Sequence, residues 1–117
     1  MTIITGPRGA GRTTELIQRF LGDPDGLMCV PHQQNKRFVL RSIWDYYEAH
    51  GITPTEEMRR DLDRRVLTAG AFTERGRTPF HTRVYVDDAD LVLSFFLRNE
   101  VEALVLPAGH VHQCRVN

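Results

Sequence analysis

The stretch Gly6-Pro-Arg-Gly-Ala-Gly-Arg-Thr13 sets three glycines and a hydroxyl within eight residues, and each type answers a need of a bound phosphate chain. Glycines let backbone amides turn inward with no side chain in the way. A helix that begins where the stretch ends aims the positive end of its dipole at the same place. The spacing fits the phosphate-loop pattern G-x-x-x-x-G-K-[ST] with one departure, because Arg12 stands where lysine is required. The candidate cradle is therefore Gly6, Pro7, Arg8, Gly9, Ala10, Gly11, Arg12 and Thr13. In it Arg12 neutralises phosphate charge and the Thr13 hydroxyl lies on Mg²⁺, with Thr14 at the distal rim beside an α-phosphate. Such a loop also needs an acid at the end of a neighbouring strand to hold the magnesium shell. Val84-Tyr-Val-Asp87 supplies one, and Asp88 follows it directly.

These residues work only if the chain presents them on strands and helices in the right order. Thr2-Ile-Ile-Thr5 reads as a short buried strand running straight into the glycines. From Thr13, Leu16, Ile17, Phe20 and Leu21 recur at helical spacing until Gly22 and Asp-Pro-Asp-Gly stop the helix. Leu27-Met-Cys-Val30 suits a second parallel strand. A long amphipathic helix follows from about residue 33 to 50, with Val39, Leu40, Ile43, Trp44 and Tyr47 on one side. That periodicity assigns Trp44, Tyr46 and Tyr47 to the core rather than to a base-stacking platform. A further helix is predicted from a Thr53 cap with Pro54 in its first turn to about Ala69, burying Met58, Leu62 and Val66. Its alternating Arg59, Arg60, Asp61, Asp63, Arg64 and Arg65 read as a solvated surface with local ion pairs rather than a nucleic-acid site. Residues 70–83 read as a loop, Val84-Tyr-Val as a strand and the apolar run through Leu97 as a helix. Glu102-Ala-Leu-Val-Leu-Pro107 is another strand candidate, and a last strand is predicted from His110. The sum is an α/β fold: one domain over residues 1–117, with a three-layer parallel sheet of four to five strands covered by helices on both faces.

With the two motifs in this order, the chain resembles the additional-strand class of P-loop NTPases, which includes helicases and viral packaging ATPases. Asp87-Asp88-Ala89-Asp90 looks like the Asp-Glu-Ala-Asp box of helicases, and Met28-Cys-Val-Pro31 with Gln33-Gln34 is similar to the strand and polar turn after the first helix in those families. The resemblance implies ATP with Mg²⁺ as ligand, Thr13 and Asp87 on the metal, Asp88 orienting the attacking water and hydrolysis at the β–γ bond. It implies a role in DNA processing or viral assembly, in host cytoplasm if the protein is viral. Two positions depart from the pattern. A guanidinium is planar and bulkier than the lysine ammonium, so Arg12 binds phosphate while displacing the charge catalysis needs. Asp88 is one methylene shorter than the usual glutamate. Both changes favour slow turnover, and the competing reading is a degenerate, catalytically inactive domain kept as a protein-interaction or regulatory module.

Composition narrows the setting. With 15 basic and 15 acidic residues the net charge is zero, which gives no general attraction to nucleic acid or membrane. No apolar run approaches a membrane span, the start does not read as a signal peptide, and two cysteines give no disulfide framework, so a cytoplasmic setting is expected. Only Lys36 among the 15 basic residues is lysine, so Arg12 sits within a wider use of arginine. Arg75 and Arg77 are arginine-finger candidates set against a solvated-loop reading. His110, His112 and Cys114 are metal-capable on one strand face, set against ordinary packing. His110 is also the nearest candidate for a polar sensor, and a homo-oligomer with sites at subunit boundaries is a further expectation.

Overall fold

The computed structural model describes residues 2–6, 11–75, 82–99, 102, 103, 105 and 110–113. The element order is β1 (Thr2–Thr5), α1 (Arg12–Leu21), β2 (Leu27–Val30), α2 (Gln33–Ala49), α3 (Glu56–Arg65), β3 (Val66–Thr68), α4 (Ala69–Glu74), β4 (Val84–Val86), α5 (Ala89–Leu97) and β5 (His110–Gln113). Every strand pairing is parallel. Strand β2 lies between β3 and β4 in a three-stranded sheet, and β1 pairs with β5 in a second sheet.

Alternation along β2 explains the layers. Met28 and Val30 join Ile17, Phe20, Val39, Ile43, Leu62 and Val66 in the main core, so α1, α2 and α3 cover one face. Cys29 points the other way and meets Ala69 and Val92 from α4 and α5. Helices thus flank the three-stranded sheet on both faces, as the α/β reading requires. Trp44 and Tyr47 pack half-buried against the main core. No helix among the described residues is long and apolar enough to cross a membrane.

The structure differs from the sequence expectation in five places. The expected single sheet of four to five strands is two sheets among the described residues, because a strand's apolar pattern fixes its existence but not which edge it meets. Glu102, Ala103 and Val105 are exposed and lie outside any strand, so those described positions of the 102–107 candidate do not form one. The helix expected through Ala69 ends at Arg65, and Val66–Thr68 pairs with β2 instead. Leu62 and Val66 are both buried at a four-residue spacing that suits a continuous helix, but the β-branched Val66 and Thr68 gain a parallel ladder. Part of the expected loop, Ala69–Glu74, is a short helix capped by Thr68, whose hydroxyl accepts the Ala71 amide at 3.1 Å. The α3 cap is Thr55 rather than Thr53. Its hydroxyl accepts the Met58 amide at 3.1 Å, leaving Pro54 ahead of the helix rather than inside it.

The charged surface of α3 carries the expected local pairs, Arg60 with Glu56 and Arg64 with Asp61. Arg65 does more. Its Nε donates to the Gly26 carbonyl at 2.9 Å and its Nη2 to the Asp23 carbonyl at 2.6 Å, while Nη1 reaches Asp61 at 3.2 Å. The guanidinium also lies 4.6 Å over the Phe20 ring, so one planar cation closes the α1–β2 turn against the core. Arg65→Ala is expected to lower the unfolding free energy by about 2–4 kcal/mol by leaving these carbonyls unpaired. Arg65→Lys should recover only part of that loss, since an ammonium cannot reproduce the fork, and denaturant unfolding of the two variants measures the difference.

Candidate functional site

Helix α1 starts where the glycine stretch ends because its N-cap, Gly11, adopts φ 86° and ψ 21°, a left-handed conformation that costs glycine little. The Glu15 amide then donates to the Gly11 carbonyl at 2.9 Å and closes the first turn. This puts Arg12, Thr13 and Thr14 on the opening turn, with Thr13 half-buried and the other two exposed. From the far side of the sequence, the Asp87 amide donates to the Cys29 carbonyl at 3.1 Å. That bond carries the β2–β4 ladder one residue past Val86 and fixes where the acid leaves the strand.

The two meet. Thr13 Oγ1 donates to Asp87 Oδ1 at 3.3 Å, a contact between residues 74 positions apart in the chain. Asp88 follows as the N-cap of α5 with φ 52° and ψ 57°, a left-handed conformation aspartate tolerates better than most residues, and its carbonyl accepts the Leu91 and Val92 amides at 3.0 and 3.1 Å. Burial raises the Asp87 carboxyl above its ordinary value, and the Asp88 charge beside it pushes the same way. The Thr13 hydroxyl, the Asp88 amide and the Arg12 guanidinium oppose that shift without cancelling it.

Of the sequence candidates, Gly11, Arg12, Thr13, Asp87 and Asp88 come together at this one end of the sheet. Gly6 follows the first strand at φ 155°, and Thr14 is exposed on α1. Pro7, Arg8, Gly9, Ala10, Arg77 and Cys114 lie outside the described residues. Arg75 is the exposed C-cap of α4, and His110 and His112 stand two apart in β5. Among the described residues no group of three or more histidines, cysteines or acids could hold a metal. Two surface clefts, of about 280 Å³ beside Asp23 and Arg83 and about 200 Å³ beside Tyr47 and Met58, are lined by other residues than these. The Cys29 carbonyl is the positioning group that sequence reasoning missed, because it acts through strand pairing and no local pattern marks it.

The Thr13/Asp87 pair fits a magnesium ion in chemistry and spacing. Both offer hard oxygens, and adjacent ligands on a Mg²⁺ octahedron with bonds of about 2.1 Å sit about 3.0 Å apart. The observed separation of 3.3 Å needs little adjustment. No protein-family model, curated protein or solved structure matches the chain.

The raised Asp87 carboxyl makes a prediction about stability. Folding disfavours its charged form, so the protonated acid is the stabilised species. That contribution is complete below 3.8 and is lost as pH rises through the higher folded value. Asp87→Asn keeps an oxygen to accept from Thr13 and removes the half-buried charge. Thermal melts should show the variant more stable than the parent near neutral pH without Mg²⁺, with the advantage shrinking on acidification and gone once the carboxyl is protonated in both states.

Proposed function

We propose that the chain binds a nucleoside triphosphate, ATP in the first instance, together with Mg²⁺ at the Gly6–Thr14 loop and hydrolyses it slowly. The observation that carries this reading is the Thr13–Asp87 contact, in which a hydroxyl at the start of a glycine-capped helix meets an acid at the end of a parallel strand. Loop amides and the α1 N-terminus take up phosphate oxygens, and Arg12 lies on the exposed rim where a bound anion would meet its charge. Thr13 and Asp87 hold the metal, which when bound neutralises charge on the phosphates. Asp88 is the group next to the acid with an exposed position, and it is assigned to orienting water.

A second reading, nucleotide binding without turnover in a regulatory or interaction module, is favoured by two observations. The cation on the loop is arginine. Asp88 is held left-handed at a helix cap, which limits how far its short side chain can be re-aimed.

Calorimetric titration with ATP–Mg²⁺ and steady-state phosphate release test the two readings together. Binding is expected at sub-millimolar ligand, with turnover well below the ~10 s⁻¹ typical of enzymes. Thr13→Ala should abolish the Mg²⁺ dependence of binding. Arg12→Lys and Asp88→Glu should each raise phosphate release if slow turnover is the function, and leave it at background if binding alone is. Because only the ionised Asp87 ligates a cation, affinity for the Mg²⁺ complex should fall as pH drops through its raised pKa. Absence of binding at millimolar nucleotide in the parent and in both variants would sink the proposal.

A further inference from the structure

Two side-chain contacts join α1 to β4, and they fall on one side of each element. Thr13 and Phe20 are seven residues apart on α1, about two turns, so they share a helix face, with the buried Ile17 between them. Tyr85 and Asp87 are two apart along β4 and its one-residue extension, so they share a strand face. Asp87 accepts the Thr13 hydroxyl at 3.3 Å, and the Tyr85 ring meets Phe20 edge-on with centroids 6.0 Å apart. Helix and strand are thus held at two points.

The two points are unequal. At the far one the Tyr85 hydroxyl also donates to Asp23 Oδ2 at 3.0 Å, in the turn that ends α1, so a ring contact and a hydrogen bond act together. Asp23 is itself anchored, since its amide donates to the Phe20 carbonyl at 3.0 Å and its carbonyl accepts from Arg65 at 2.6 Å. The near point is a single hydroxyl–carboxylate contact, longer than most bonds between oxygens. Strand β4 has little else to fix it against α1. Among the described residues its three residues pair with β2 alone, and Val84 and Val86 are exposed. A helix joined to such a strand at one point can pivot there. The two points lie about 10 Å apart along α1, so a tilt at the Tyr85 end displaces Thr13.

We propose that Tyr85 is a positioning residue for the Thr13/Asp87 pair, its hydroxyl bond to Asp23 holding α1 and β4 at the separation that lets the two oxygens ligate one Mg²⁺. This rests on the Mg²⁺–nucleotide reading above and adds a determinant at the opposite end of α1 that touches neither metal nor nucleotide.

Calorimetric titration of the full chain with ATP–Mg²⁺, and with ATP in EDTA, tests it through the ratio of the two affinities. A merely structural role lowers the melting temperature and leaves that ratio alone. Tyr85→Phe keeps the ring and removes the hydroxyl. It should cut the ratio about fivefold, the scale of one hydrogen bond, with metal-free ATP binding within about twofold of the parent. Asp23→Ala removes the same bond from the other partner and should cut the ratio equally. The double variant should cut it no further, and Asp23→Asn, which keeps an acceptor oxygen, should stay near the parent. A ratio unchanged in either folded single variant, while Thr13→Ala loses it, overturns the positioning role and leaves Mg²⁺ binding standing. Losses that multiply in the double variant overturn it too, because the two residues then act apart. A parent that binds ATP equally with and without Mg²⁺ overturns the metal-binding reading, and this inference with it.

Discussion

Strand β2 is buried at all four positions and hydrogen-bonded along both edges, and its two neighbours run parallel to it. A parallel neighbour cannot be reached by a tight turn, so the chain must cross over a face of the sheet before each return. The consequence is geometric. Each strand of this sheet ends at the same edge, and the segments that leave there, His32 into α2, Thr68 into α4 and Asp87-Asp88 into α5, are brought within reach of one another. Helix α1 presents its N-terminus to that edge, which is why Thr13 and Asp87 meet although their chain separation is so large. The chemistry of the candidate site is thus located by a strand that contributes only a backbone carbonyl to it.

The opposite end of β2 carries the counterpart constraint. Tyr85 in β4 donates its hydroxyl to Asp23 at 3.0 Å and sets its ring edge-on to Phe20, with centroids 6.0 Å apart. Burial and the Asp23 hydrogen bond both raise the Tyr85 pKa, keeping the hydroxyl a donor. A Cβ on Gly26 would stand 2.9 Å from the Tyr85 ring, so that position has no room for a larger residue. With Arg65 drawing the Asp23 and Gly26 carbonyls inward, the α1–β2 turn is held from two sides. Strand β4 is only three residues long, and this clamp compensates for a short ladder by fixing its start, while the Asp87–Cys29 bond fixes its end.

What the sequence disclosed follows from which forces are local. The strands Thr2–Thr5 and Leu27–Val30 and the helices beginning near residues 12 and 33 were legible, since apolar period, glycine stops and turn residues all agreed there. The Thr13 and Asp87 assignments were legible as motif residues. Their contact was not, because it depends on α1 and β4 arriving at one edge. Val66–Thr68 was misread as helix because a four-residue apolar spacing is common to a helix face and to a helix followed by a strand. The sequence reading places the cap at Thr53, and the Met58 amide instead meets the Thr55 hydroxyl two residues on. Pairing between strands has no local signature at all, which is why one sheet was expected where the described residues form two.

The charge at the site is what the proposed Mg²⁺ would balance. Asp87 and Asp88 are consecutive carboxylates, the first half-buried, and among the described residues the opposing charge that lowers the Asp87 pKa is the guanidinium of the exposed Arg12. Among the described residues burial outweighs that guanidinium, and the Asp87 carboxyl is raised. Under the proposed function a divalent ion would add the charge that the half-buried carboxylate draws, and a phosphate chain would give Arg12 its anion. On this view arginine at the loop departs less from the pattern than its shape suggests. An exposed cation at the start of α1 can still neutralise a ligand's charge, while under the proposed function the half-buried acid would be balanced by the metal.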